Sequence, residues 1–162
     1  MSFSIVYLAD HLSFAPTLAA WHHAQWRHLD VDVSVEQRSA TLSRHTRDRV
    51  PMTVIALSGE TLLGSASLIA HDMDTRMNLS PWLASVYVTP AYRNRGLGSA
   101  LVQRIADEAR TLGFDRLYLF TPDKEHFYAR LGWAVLERTV YRGYEQVVMV
   151  LRTTSGQSAE SG

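Results

Sequence analysis

The feature that most constrains the fold is a strand, a glycine-containing loop, a helix and a second strand in direct succession. WLASVYVTP (82–90) is an apolar run rich in β-branched and aromatic residues, which predicts a strand. Residues 98–112 repeat apolar side chains at helical spacing, and Gly113 follows in the position of a helix C′ residue. DRLYLFTP (115–122) alternates as a second strand. Two strands that flank one helix are expected to be parallel, joined by a right-handed crossover.

The remainder of the chain predicts a mixed sheet of the α/β or α+β class, in one domain over residues 1–152. A capping box marks the start of one helix, since Ser34 is followed three residues later by Gln37. The other predicted elements are a strand at 3–10, a helix at 13–28, hairpin strands at 52–59 and 61–70, a short helix at 124–131, and the final strands WAVLERTV and YEQVVMVLR.

Composition excludes several classes of function. The 16 basic and 16 acidic side chains cancel, so no global basic field exists to gather nucleic acid or an anionic membrane. The absence of cysteine excludes disulfides, thiolate metal sites and an acyl-cysteine mechanism, and it fits a reducing cytoplasm. The first residues lack the basic and apolar regions of a signal peptide. Residues 153–162 are small and polar, which predicts a disordered tail.

The loop before the helix has the chemistry of a phosphate cradle. Glycine lets a ligand approach the backbone closely, and the first N–H groups of a helix have no acceptor of their own. The nucleoside-triphosphate loop would need a lysine after Gly98, and the dinucleotide fingerprint fails at Leu101. A third pattern, Arg/Gln-x-x-Gly-x-Gly/Ala, is met by Arg93, Gly96 and Gly98. The alternative interpretation is a plain strand-to-helix turn with arginines for solubility.

Two motifs together resemble the GCN5-related N-acetyltransferase (GNAT) superfamily. The stretch VYVTPAYRNRGLGSALVQRIADEARTLGFDRLYL resembles that family's cofactor segment, and HFYARLGWAV resembles its second signature through Tyr128, Gly132 and Trp133. The resemblance covers residues 82 to about 136. It implies a mostly antiparallel central sheet of about seven strands, with a splayed parallel pair at its centre and about four flanking helices.

The resemblance also implies acetyl-CoA as co-substrate and no metal. The pantetheine arm would pair with the backbone of the strand before the loop, and the pyrophosphate would lie on the N–H groups of residues 93–99. A threonine hydroxyl stands where relatives often place a cofactor-binding asparagine. The implied cofactor-binding residues are Val86, Tyr87, Val88, Arg93, Asn94, Arg95, Gly96, Leu97, Gly98, Ser99 and Thr121.

The implied reaction is direct attack of an amine on the thioester, which leaves two proton transfers. Tyr128 matches the tyrosine that protonates the departing thiolate, and a phenol holds its proton at neutral pH. Many relatives carry a glutamate base on the strand before the loop, but WLASVYV has no carboxylate. His71, Asp72 and Asp74 are candidates for the second transfer, with a solvated turn as their alternative interpretation. Ser85 or a backbone carbonyl is the other candidate, as the holder of a relaying water.

The acceptor amine is not identified by the sequence. In the family the first helix borders the acceptor cleft, so Trp21, Trp26 and His22 are candidate substrate contacts, against an ordinary amphipathic helix. The basic group Arg38, Arg44, His45, Arg47 and Arg49 reads as a solvated face, or as a preference for an acidic substrate if it lines the cleft. A second function from another class is a non-catalytic acyl-CoA-binding sensor or regulatory module. Related enzymes also suggest a homodimer.

Overall fold

The computed structural model describes residues 2–153 of the chain. Over these residues seven strands and four α-helices alternate with short turns. The elements are β1 (Ser4–Tyr7), α1 (Ala15–Trp26), α2 (Val35–Leu42), β2 (Met52–Ser58), β3 (Thr61–Ile69), β4 (Trp82–Val88), α3 (Leu97–Thr111), β5 (Arg116–Thr121), α4 (Glu125–Arg130), β6 (Ala134–Tyr141) and β7 (Tyr144–Arg152). Within this part of the chain, no helix is long and apolar enough to cross a membrane.

The strands form one mixed sheet in the order β1-β2-β3-β4-β5-β7-β6. β1 with β2, β5 with β7, and β6 with β7 are antiparallel pairs. β4 and β5 are parallel, with Trp82 opposite Tyr118, which confirms the pairing predicted from the single helix between them. The expected mixed sheet of seven strands with four helices is likewise confirmed.

The chain separates into two compact units. The first contains the residues up to Ser67 together with Ser85–Val102. Its apolar core lies between α1 and the first strands, with Leu8, Leu18 and Ile55 fully buried. The capping box of α2 is confirmed, because the Gln37 N–H donates to Ser34 Oγ at 3.1 Å and the Ser34 N–H donates to Gln37 Oε1 at 2.7 Å.

The second unit contains Leu68–Ala84 and the residues from Gln103 onward. An aromatic cluster forms its core. The ring of Trp82 lies 5.9 Å from that of Tyr118, and Phe120 packs edge-on against Tyr141 at 5.6 Å. The indole N–H of Trp82 donates to the carbonyl of Leu79 at 2.8 Å, so this fully buried tryptophan is also satisfied as a donor.

Two predicted boundaries were wrong. The first strand ends at Tyr7, and a 3₁₀ turn over Leu8–Asp10 replaces the predicted continuation to Asp10. Leu8 becomes fully buried in the first core through that turn, so core packing ends the strand pairing early. Thr153, predicted to begin the disordered tail, is buried: its N–H donates to Asp115 and its hydroxyl donates to the carbonyl of Phe114. Residues 154–162 of the predicted tail lie outside the described residues.

Candidate active site

In the first unit, β4 carries an irregularity at Ser85. This residue has φ +54°, in the left-handed region that non-glycine residues rarely adopt, although strand residues stand on both sides of it. A left-handed residue inside a strand re-aims the peptide groups that follow it, as β-bulges do. Val86, Tyr87 and Val88, the predicted backbone partners of pantetheine, come directly after this irregularity and are half-buried.

The loop after β4 is held at both of its ends. The Thr89 N–H donates to Leu63 in β3 at 2.9 Å, which prolongs the strand pairing, and the Tyr92 N–H then closes a turn on the Thr89 carbonyl at 2.9 Å. Arg93 Nε donates to the Val88 carbonyl at 2.8 Å, and its guanidinium lies 5.6 Å from the Tyr87 ring centroid. Arg93 therefore fixes the path of the loop in addition to bringing positive charge to it.

The segment from Asn94 to Ser99 has the geometry of an anion cradle. Asn94 (φ +64°) and Gly96 (φ +82°) are both left-handed, and alternation of this kind turns successive N–H groups toward one side. The bond from the Ala100 N–H to the Gly96 carbonyl (3.1 Å) opens α3, so the N–H groups of Leu97, Gly98 and Ser99 precede it and have no helical acceptor.

The cradle also has room for a ligand. A Cβ atom placed on Gly96 would meet no heavy atom within 4 Å, and Arg93, Asn94, Arg95 and Gly96 are exposed. The guanidinium of Arg95 lies 5.7 Å from the Tyr92 ring centroid, which keeps its positive charge beside the loop. Open space, unpaired helix N–H groups and two arginines suit a diphosphate. The residues present therefore fit the pyrophosphate of coenzyme A.

Next to the cradle, an aromatic cluster joins α1 to β4. Tyr87 lies 5.6 Å from Trp21 and 6.3 Å from Trp26 between ring centroids, and all three rings are half-buried. Trp21 and Trp26, two of the predicted substrate contacts, therefore share one aromatic surface with a predicted cofactor contact. They lie on the same unit as the cradle.

Behind this cluster runs a buried polar chain that begins at a histidine of α1. His22 Nε2 lies 2.9 Å from the hydroxyl of Ser65 in β3, and that hydroxyl donates to the carbonyl of Ser85 at 2.8 Å. Burial, reinforced by the positive charge of Arg38 and then by His45, lowers the pKa of His22 to about 3. Sequence reasoning proposed His22 as a substrate contact and missed Ser65; the available signal was a serine inside an otherwise apolar strand, since a buried hydroxyl needs a partner.

The second unit carries Tyr128, the predicted acid, on α4. Only 8% of its surface is exposed. Burial, with a smaller effect of the Asp123 carboxylate, raises the pKa of the phenol above its ordinary value. The main-chain N–H of Trp133 donates to the Tyr128 carbonyl at 3.1 Å, and the rings of the two residues pack edge-on with 6.0 Å between their centroids. The second signature motif thus orients its own tyrosine.

Two of the other predicted site residues of this unit, Thr121 and Asp74, have structural partners. Thr121 is buried, and its hydroxyl accepts the Lys124 N–H at 3.1 Å, which shapes the entry to α4. Asp74 accepts a hydrogen bond from Arg142 at 2.8 Å, whereas His71 is exposed in the same turn. Asp72 is half-buried there.

The basic group around α2 is mixed in character. Arg38 is 14% exposed at its side chain and faces Asp30 at 3.7 Å, and the exposed Arg47 pairs with Asp10 at 3.3 Å. His45 is buried, with Nδ1 2.8 Å from the Thr53 hydroxyl. Two of these side chains therefore point inward and do not belong to a solvated face.

Comparison with known proteins adds a family match to this geometry. A model described as the acetyltransferase (GNAT) family matches residues 15–133. N-alpha-acetyltransferase 80 of Mus musculus is 33% identical over 94 residues, which are 56% of this chain and 30% of that protein. An amino-acid acetyltransferase of Aeromonas salmonicida (strain A449) is 28% identical over 106 residues, which are 62% of this chain and 23% of that protein. The chain thus spans less than a third of the length of these two curated relatives.

Among solved structures, an aminoglycoside 6′-N-acetyltransferase complexed with coenzyme A has the same fold. The match has a TM-score of 0.70 and covers 95% of this chain and 98% of the other. Its sequence identity is 16%, so this likeness concerns the fold alone.

Proposed function

The chain belongs to the GNAT acetyltransferase family, and on that premise we propose that it transfers an acetyl group from acetyl-CoA to a primary amine. The observation that carries the proposal is the cradle between β4 and α3, where Asn94 and Gly96 are left-handed and open to solvent. It supports capture of the diphosphate of coenzyme A by the N–H groups of residues 93–99. Bound acetyl-CoA would supply an acyl carbon activated as a thioester.

In this reaction the nitrogen of a neutral amine bonds to the thioester carbon, the carbon–sulfur bond breaks, and sulfur leaves with the bonding electron pair. The protein contributes by holding the two reactants in position and by polarising the carbonyl with a backbone N–H. The sulfur then takes a proton, and the former amine loses one. The acetylated amine and free coenzyme A are the products.

We assign the first of these protons to Tyr128, on the strength of its motif and its own surroundings. Its raised pKa keeps it protonated at neutral pH. The second proton has no carboxylate to receive it on β4. His71, Asp72, Asp74 and a water held by Ser85 remain the proposed recipients. Among the three side chains of that turn His71 is the best supported, because it is exposed, whereas Asp74 is paired with Arg142 and Asp72 is half-buried.

The cradle is tested by one glycine substitution with a matched control. Gly96→Ala is expected to weaken acetyl-CoA binding about tenfold or more, because the strained loop turns its N–H groups away from the diphosphate. Gly113→Ala is the control: Gly113 is also left-handed (φ +92°) and open, but it follows the C-terminus of α3. Thermal unfolding should show similar losses of stability in the two variants. Titration calorimetry should show a loss of affinity for acetyl-CoA in Gly96→Ala alone. Equal affinities in the two variants would refute the cradle.

Transfer itself is tested by release of the coenzyme A thiol over a panel of amines. Three acceptor classes are chosen from the names of similar proteins: protein N-terminal peptides, amino acids and aminoglycosides. Lysine peptides and polyamines complete the panel. Acetylation of at least one class is expected. Tight binding of acetyl-CoA without transfer to any amine would instead favour the acyl-CoA-binding regulatory module, for which the carboxylate-free β4 is the motivating observation.

A further inference from the structure

We propose that His22 and Ser65 are positioning residues, which hold the left-handed peptide of β4 in the orientation needed for acyl transfer. The inference rests on the proposed function. It concerns two buried side chains, one on α1 and one on β3, that meet at the irregular residue Ser85.

The direction of the hydrogen bonds follows from the donors available. The Ser65 hydroxyl has a single proton, and the geometry gives this proton to the Ser85 carbonyl. The same oxygen must therefore accept a hydrogen bond from His22, so His22 carries its proton on Nε2. The chain runs in one sense only: imidazole N–H to hydroxyl, and hydroxyl to carbonyl.

The environment fixes this protonation state. His22 is 3% exposed and lies edge-on against Trp26 at 5.4 Å, so a charged imidazole would be poorly solvated there. The titratable groups that act on it, first Arg38 from α2 and then His45 just beyond that helix, disfavour a second proton. The hydrogen-bond chain from His22 to Ser85 therefore keeps the same donors and acceptors over the neutral pH range.

The chain terminates on the peptide group that matters for the reaction. In a trans peptide the carbonyl oxygen and the amide hydrogen point in opposite directions. The hydrogen bond holds the Ser85 carbonyl toward Ser65 in β3. The N–H of Val86, in the same peptide group, therefore points away from β3. Val86 is the first residue of the segment assigned to the cofactor. Ser85 is neither glycine nor asparagine, so its left-handed φ needs support from outside the residue.

The same unit contains a second chain with the same chemistry and a different end. His45 Nδ1 lies 2.8 Å from the hydroxyl of Thr53, which lies 2.7 Å from the hydroxyl of Ser67. Ser67 is as deeply buried as Ser65 and stands two residues further along β3. This second chain ends at Ser67 and does not reach β4 through any bond among the described residues. It provides the matched control.

The experiment compares Ser65→Ala with Ser67→Ala in the whole chain. Both lose one buried hydroxyl from β3, so both should lose stability to a similar degree. Only Ser65→Ala is expected to lower kcat, by about tenfold or more, because a misaligned N–H stabilises the reacting carbonyl less well. Affinity for free coenzyme A, which has no acyl carbonyl, should change less than about threefold.

The histidine is tested by a conservative pair. His22→Gln keeps an N–H donor near the position of Nε2 and is expected to retain most of kcat, whereas His22→Leu should resemble Ser65→Ala. In wild type, nitrogen-15 shifts of the His22 ring should show the Nε2–H tautomer throughout pH 5–8. A ring that titrates near pH 6.5, or one protonated on Nδ1, would overturn the proposed chain whether or not any transfer is observed.

The outcomes separate the two proposals. Equal kcat values for Ser65→Ala and Ser67→Ala in an active enzyme would overturn the positioning role and leave the acetyltransferase assignment intact. A wild-type protein that transfers acetyl to no amine, with the His22 tautomer as expected, would overturn the assignment and the positioning role together.

Discussion

The hydroxyl of Tyr128 shows how burial sets the protonation state of the group proposed as the acid. An ordinary phenol has a pKa of about 10. Burial and then the Asp123 carboxylate raise the pKa of Tyr128 further, because both disfavour the phenolate. The group is therefore a weak acid that stays fully protonated over the whole range in which the protein can be assayed. A group in this state holds a proton that it can donate, although the raised pKa makes the donation less favourable, and it cannot serve as a general base.

Tyr128→Phe is expected to lower kcat by about a hundredfold, the effect typical of a lost general acid. Coenzyme A affinity and stability should change little, because phenylalanine keeps the ring and its packing against Trp133. Tyr118→Phe is the control, because Tyr118 is also a phenol with 8% exposure in the same unit. Steady-state kinetics and calorimetry check both variants. A kcat equal to that of Tyr118→Phe would remove the acid role from Tyr128.

At the scale of elements, the approach of β3 to β4 in the first unit depends on one glycine. A Cβ atom on Gly64 would lie 2.4 Å from the carbonyl oxygen of Tyr87 and 3.3 Å from the Leu101 side chain of α3. The nearest obstacle is backbone, which cannot rotate away as a side chain would. Gly64 therefore sets the spacing between the strand that carries Ser65 and the strand that carries the proposed cofactor-binding segment.

Gly64→Ala is expected to destabilise the protein by about 1–3 kcal/mol, the usual cost of overpacking. For a chain of this size that corresponds to a melting temperature lower by about 2–4 °C for each kcal/mol. Gly59→Ala, in the turn between β2 and β3, has open space at Cβ and should cost only the strain of its left-handed φ, about 1–2 kcal/mol.

The two glycine variants should also differ in ligand binding. A shifted Tyr87 carbonyl would move the backbone on which pantetheine is proposed to lie, so Gly64→Ala should weaken coenzyme A binding and Gly59→Ala should leave it unchanged. Titration calorimetry at a temperature where both variants are folded makes the comparison. Unchanged affinity and stability in Gly64→Ala would mean that the backbone of β4 can move away from the added methyl group at little cost.

Across the whole molecule, the sequence predicted the features that depend on residues close together in the chain. The capping box of α2 joins residues three positions apart, and the parallel pairing of β4 with β5 follows from a single connecting helix. The chain from His22 to Ser65 joins residues 43 positions apart, and no local pattern brings them together. The left-handed φ of Ser85 was equally hidden, because only glycine or asparagine would have marked it in the sequence.

The same buried histidine links the fold to the acid stability of the whole protein. The pKa of His22 is about 3 in the folded chain and 6.5 when unfolded. As pH falls below 6.5, the unfolded chain takes up a proton that the folded chain refuses, so the free energy of unfolding decreases until about pH 3. One such proton lowers that free energy by about 1.4 kcal/mol per pH unit.

His22→Gln removes this proton while keeping an N–H donor, so it isolates the contribution of His22 from those of His45 and the carboxylates. We expect wild type to lose about 2 kcal/mol relative to His22→Gln between pH 6.5 and pH 4.5. This is less than two pH units at the full single-proton slope, because the unfolded imidazole is already half protonated at pH 6.5. Urea unfolding at several pH values, with equal m-values in the two proteins, measures the difference. Parallel stability curves would mean that His22 becomes protonated in the folded state. The imidazole would then carry a second N–H group, for which the hydrogen bonds from His22 through Ser65 to Ser85 provide no acceptor.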